Sequence, residues 1–117
     1  MDTEAAHRSA VSRAYYASLH SVAESFDERQ RLSAESSHGA IIGRVEAYYN
    51  QIPPQPGRSA AIDIHRAVSR LRRERNKADY NLDQTMNSGN SNDAITRSQH
   101  VLKLCSEVQA KRSAEPT

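Results

Sequence analysis

The chain has no tryptophan, one phenylalanine and one cysteine, and only four glycines and four prolines in 117 residues. Each scarcity excludes something. A lone cysteine, Cys105, rules out an internal disulfide and a cysteine-based zinc site; set among Leu102, Leu104 and Val108, it reads as a small packed hydrophobe. With so few large aromatics, the core has to be built from Ala, Val, Ile, Leu and Tyr. Few helix breakers beside abundant Ala, Ser, Arg and Glu favour helix over sheet. Apolar runs of signal-peptide or membrane-spanning length are missing, which predicts a soluble, cytoplasmic protein. Most enzyme signatures are missing too. There is no glycine-rich phosphate loop and no helical His pair with Glu. His7, His20, His38, His65 and His100 show no metal-ligand spacing, so neither a metal nor a cofactor is implied.

What is present is helical periodicity. At this length one domain is expected, burying roughly two thirds of its unfolded surface. Its first helix is predicted from Asp2 to about Arg29, capped by Asp2 or Thr3, with Val11, Ala14, Ser18 and Val22 on one side and Tyr15, Leu19 and Phe26 on its neighbour. A second helix, capped by Ser33, Ser36 or Ser37, runs to about Gln51 with Ile41, Val45, Tyr48 and Ile52 as its stripe. Gly39 and Gly43 on it either allow close helix approach or merely lower local stability. The segment QIPPQPGRS, with three prolines and a glycine, breaks the chain and is short enough to predict antiparallel neighbours. A third helix follows over Ser59–Leu82. After DQTMNSGNSN, Ser91 or Asn92 caps a fourth, Asp93 to Lys111, with Ile95, Leu102, Cys105 and Val108 inward. The expected fold is an all-α antiparallel four-helix bundle in a single domain, residues 1–112, with 113–117 as a frayed tail.

The third helix carries two patterns. Ile64, Val68, Leu71, Ala78 and Leu82 form an apolar stripe, and Arg66, Arg70, Arg73 and Lys77 a basic one. The formal charge of the whole chain is only +2, yet between Arg66 and Lys77 there are six basic residues and a single acid, Glu74. Such a stripe is either a footprint for a polyanion such as RNA or simply a solvated face. Arg75 belongs to neither pattern: it falls on the apolar stripe, where a guanidinium that cannot lose its proton must be paired or face a polar cleft. Arg75 and Asp79 are i and i+4, as are Asn76 and Tyr80. The cluster is either an intrahelical salt bridge beside a packed tyrosine or an anion site in which Arg75 holds a phosphate and Asn76 and Tyr80 add hydrogen bonds.

Three segments in this order, SAVSRAYYASLH (9–20), SSHGAII (36–42) and LRRERNKADYNL (71–82), resemble the HEPN domain family over nearly the whole chain. The resemblance implies a HEPN-like helical bundle that forms a homodimer and associates with RNA or nucleotides. Many members of that family are metal-independent endoribonucleases, either toxins of toxin–antitoxin pairs, often beside a nucleotidyltransferase, or phage-defence effectors. Their motif is Arg, a polar residue, and His four to six residues beyond, with two motifs meeting across the dimer. Arg would stabilise charge on the scissile phosphate and His would act as acid or base. By this resemblance Arg75, Asn76 and Tyr80 take the catalytic places, supported by Asp79, while Arg66, Arg70, Arg73 and Lys77 hold RNA. The histidine place is filled by Tyr80. Tyrosine ordinarily ionises near pH ~10 and is a poor base, so a non-catalytic module binding a nucleotide or a partner protein, an antitoxin or nucleotidyltransferase, is the rival reading. A purely structural interaction protein is the third.

A literal Arg, six residues, then His occurs at Arg13/His20, Arg31/His38 and Arg58/His65. Of these, Arg13 and His20 share a helix face with Tyr16, so a composite site of Arg13, Tyr16, His20, Arg75 and Tyr80 is a further expectation. Relatives usually carry another helix before the SAVSRAYY segment. Its absence from these residues predicts apolar surface that wants a partner.

Overall fold

The computed structural model describes residues 3–26 and 38–114. They form four helices: α1 (Glu4–Ser25), α2 (His38–Tyr49), α3 (Arg58–Tyr80) and α4 (Ser88–Ala114), with no strand among the described residues. Among the described residues no helix is long and apolar enough to cross a membrane.

The caps explain the boundaries. The Thr3 side chain accepts from the Ala6 N–H at 3.1 Å and starts α1, so Thr3 rather than Asp2 takes the predicted place. The predicted extension of α1 to Arg29 and the caps Ser33, Ser36 and Ser37 lie outside the described residues. Gly57, with φ 77°, precedes α3 and packs against Val108, where a Cβ would come within 3.2 Å of a side-chain methyl and 3.3 Å of its Cα. Helix α4 begins at Ser88, five residues before the expected start, because Asn87 and Asn90 cap each other: each side-chain oxygen accepts the other's backbone N–H, at 3.0 and 3.1 Å. Ser91 and Asn92 therefore lie inside the helix. The helix also continues through Ala114, past the expected fraying point at 113.

One core joins the four helices. Tyr15, Phe26, Ile64, Leu71, Val11, Val22, Val45, Val68, Val101 and Val108 are its largest fully buried hydrophobic side chains, and Cys105 is buried beside them. Each aliphatic side chain of this size stabilises the fold by about 1.5–3 kcal/mol through loss of contact with water. Of the expected inward face of α4, Cys105 and Val108 are buried, while Ile95 and Leu102 are exposed and Ala94, Val101 and Leu104 take the core in their place. Ile52 and Leu82, each expected to extend an apolar stripe, sit beyond their helix ends and are exposed. Gly39 and Gly43 face open space, with nothing for a Cβ to touch, so they do not bring helices together.

The pairing of helix ends fixes the directions. His7 of α1 meets Ser91 of α4 (3.0 Å), and Ser25 at the end of α1 accepts from Gln109 and Arg112 near the end of α4. These two helices run in the same sense. Helix α3 runs against both, its start on Val108 and its end held by Arg8. It also runs against α2, since His38 meets Arg75, Glu46 meets His65 (3.6 Å), and the Tyr48 hydroxyl donates to the Pro56 carbonyl. The antiparallel expectation thus holds for α3 with each neighbour but not for α1 with α4.

Candidate functional site: a buried guanidinium among three helices

Three helices converge on Arg75. Helix α1 contributes Tyr15 and Tyr16, α2 contributes its first residue, His38, and α3 contributes Asp79 and Tyr80 as well as Arg75 itself. The Arg75 side chain is 7% exposed. Its carbon Cζ lies 5.3 Å from the Tyr15 ring centroid and 5.4 Å from those of Tyr16 and Tyr80, an attractive arrangement for a cation over aromatic faces. Nη1 donates to the Tyr80 hydroxyl (3.2 Å), and Nη2 donates to His38 Nδ1 (3.2 Å). The His38 ring packs edge-on against Tyr15 and Tyr16.

The end of α3 that carries these groups is held by Arg8. Its guanidinium donates to the carbonyls of Lys77 (3.1 Å), Ala78 (2.9 Å), Asn81 (3.3 Å), Leu82 (3.4 Å) and Gln84. The last carbonyls of a helix lack intrahelical partners and carry partial negative charge, so a cation there satisfies both needs. Glu4 accepts from Arg8 Nη2 at 2.9 Å and from the Met86 N–H at 3.2 Å; these bonds hold its carboxyl below the usual carboxylate range.

The charge of Arg75 is thinly compensated. Among the described residues its carboxylate partner is Asp79, 3.8 Å away, 30% exposed, and shared with the Ser12 hydroxyl. The two closer acceptors are neutral. Arg75 Nε is buried without a hydrogen bond, and so is the Tyr15 hydroxyl. Burial pushes Tyr15 up from its ordinary pKa, partly offset by the charges of Arg72 and Arg75. His38 is pushed down, first by burial and then by the same two arginines. A guanidinium only donates, so His38 Nδ1 must accept and the ring proton belongs on Nε2. The imidazole then presents an N–H donor rather than a basic lone pair. Together these groups can bind an oxyanion; they are poorly set to remove a proton.

The remaining predicted residues divide by face. Arg66, Arg70, Arg73 and Lys77 are exposed. Arg73 and Lys77 stand two positions either side of Arg75, roughly half a turn round α3, so the basic stripe and Arg75 face opposite ways. Asn76 is exposed. Of the composite site, Tyr16 and Tyr80 reach Arg75. Arg13 instead lines a groove of about 280 Å³ with Ala10, Ala14, Ile95, Ser98 and Gln99 between α1 and α4, and His20 is exposed. Among the described residues no group of three His, Cys, Asp or Glu side chains could hold a metal ion.

His38, Tyr15, Arg72 and Arg8 were not among the expected site residues. A search for Arg and His spaced along one helix cannot find a histidine delivered from another. The available signal for His38 was its place in the SSHGAII segment beside the two others that now meet it. No protein-family model, curated protein or solved structure matches the chain, which leaves the Arg75 cluster and its chemistry as the guide to function.

Proposed function

We propose that this chain is a HEPN-like module that binds a nucleotide or RNA through Arg75 without cleaving it. The observation behind this reading is the convergence of the SRAYY, SHGAII and RNKADY segments on one buried guanidinium whose one carboxylate partner among the described residues, Asp79, stands 3.8 Å away and is partly exposed. A buried cation of this kind is costly unless an anion completes it. With its Nδ1 lone pair engaged by Arg75, His38 is poorly placed to act as a base, which favours binding over cleavage. Because the basic stripe faces away, a short ligand held at Arg75 does not touch it, and its affinity should fall only gently with salt.

A second reading, a metal-independent endoribonuclease working as a homodimer, draws on His38, which restores an Arg–His pair in the cluster. Anisotropy with labelled RNA at low salt, run beside a cleavage assay, tests both. The binding module predicts intact RNA and about a tenfold or larger loss of affinity in Arg75→Met. Undiminished binding by a folded Arg75→Met protein defeats the module. Cleavage lost in both Arg75→Met and His38→Gln establishes the ribonuclease instead.

A further inference from the structure

The acceptors that now occupy Arg75 point to a particular ligand. Tyr80 is 74% exposed at the last position of α3, and Tyr16 is 45% exposed. Both rings lie over the guanidinium from the solvent side, while Tyr15 and His38 close it from within. The Tyr80 hydroxyl therefore places a neutral oxygen on Nη1, on the exposed side of the cluster. We propose that this oxygen holds the place of a phosphate oxygen, and that the Arg75 cluster receives the terminal phosphate monoester of a nucleotide or RNA end, with His38 taking up a proton as the dianion binds. This rests on the nucleic-acid-binding reading above and narrows its ligand.

Charge and shape select a monoester. Arg72 and Arg75 face the cluster from α3 with Asp79 opposing them, Tyr15 and Tyr16 face it from α1, and His38 from α2. Among the described residues, with His38 protonated, three positive groups meet one carboxylate, which suits a dianion better than the single charge of a backbone diester. The protonation is balanced simply: the neutral ring gains one proton from solvent, and Nδ1 changes from accepting Arg75 to donating to phosphate. A diester must also lead its chain out in two directions. A terminal phosphate needs to enter from one side only, the side marked by the exposed Tyr16 and Tyr80, whose rings are then available to stack on the adjoining base.

The test uses short RNA oligomers of one sequence carrying a 5′-phosphate, a 3′-phosphate or hydroxyl ends, titrated by calorimetry against the whole chain at about pH 6 and about pH 8. One phosphorylated end is expected to bind about tenfold or more tightly than the hydroxyl-ended oligomer, with a larger advantage at the lower pH and with proton uptake seen as a buffer-dependent heat. His38→Gln should remove the proton uptake. Tyr80→Phe, which deletes the competing oxygen, should bind the phosphorylated end at least as well as the parent. Equal affinity for all three ends overturns the proposal. If that equal affinity still disappears in Arg75→Met, the broader reading survives; if it does not, both fail. Preference for a phosphorylated end without proton uptake at about pH 8, where the free monoester is already the dianion, overturns the role given to His38.

Discussion

Arg75 fills a place on α3 where Leu71 and Ala78 are both buried, so its cost and its use can be separated by substitution. Methionine has similar length and no charge. Replacing a thinly compensated buried cation with a hydrophobe of similar volume is often neutral or stabilising. Arg75→Met is therefore expected to unfold in urea within about 1 kcal/mol of the parent, or later, while losing ligand. A loss above about 3 kcal/mol, the cost of breaking a well-made buried pair, would mark Arg75 as a structural strut. His38 makes a second prediction. Its folded pKa lies below its unfolded value, so the unfolded chain binds the extra proton more readily. Its contribution is fully present above its ordinary pKa and is lost as pH falls through the folded value. Urea midpoints measured across mildly acidic pH should decline less in His38→Gln than in the parent.

Among the elements, α3 depends most on a side chain from elsewhere. Arg8 answers carbonyls from Lys77 to Gln84, so Arg8→Ala should cost about 2 kcal/mol, the upper range for a cation at a partly buried helix end. The loss should be local first: amide exchange at Ala78 to Asn81 is expected to speed up before that of Leu71 does. Uniform acceleration would deny Arg8 this capping role. Arg8 also shows what the sequence could and could not reveal. The four helices were legible, because periodicity and the PPQPG break are local signals. So were the inward sides of α1 and α3. The start of α4 was misplaced because DQTMNSGNSN contains several good caps, and only geometry selects the reciprocal pair Asn87 and Asn90. That shift accompanied the exchange of Ile95 and Leu102 for Ala94, Val101 and Leu104 as core residues. In the site, Arg75, Asp79 and Tyr80 were legible as one turn of helix. His38 and Arg8 were not, since a contact across 37 or 70 positions leaves no spacing to read.

At the scale of the whole molecule, two arginines latch the helices together. Arg8 on α1 holds the end of α3, and Arg112 on α4 donates to the Ser25 carbonyl at the end of α1 at 2.8 Å. Guanidinium ions can compete for those carbonyls, whereas urea carries no charge to do so. Guanidinium usually acts with about twice the strength of urea per mole. The guanidinium midpoint of this protein is expected below half its urea midpoint, and a ratio at or above one half would show the latches to be dispensable. The second latch has a further consequence for synthesis. Helix α1 is synthesised before α4, and the side chain that donates to its C-terminal end follows 87 residues later. Until α4 emerges that bond cannot form, so a helix made later locks one made before it.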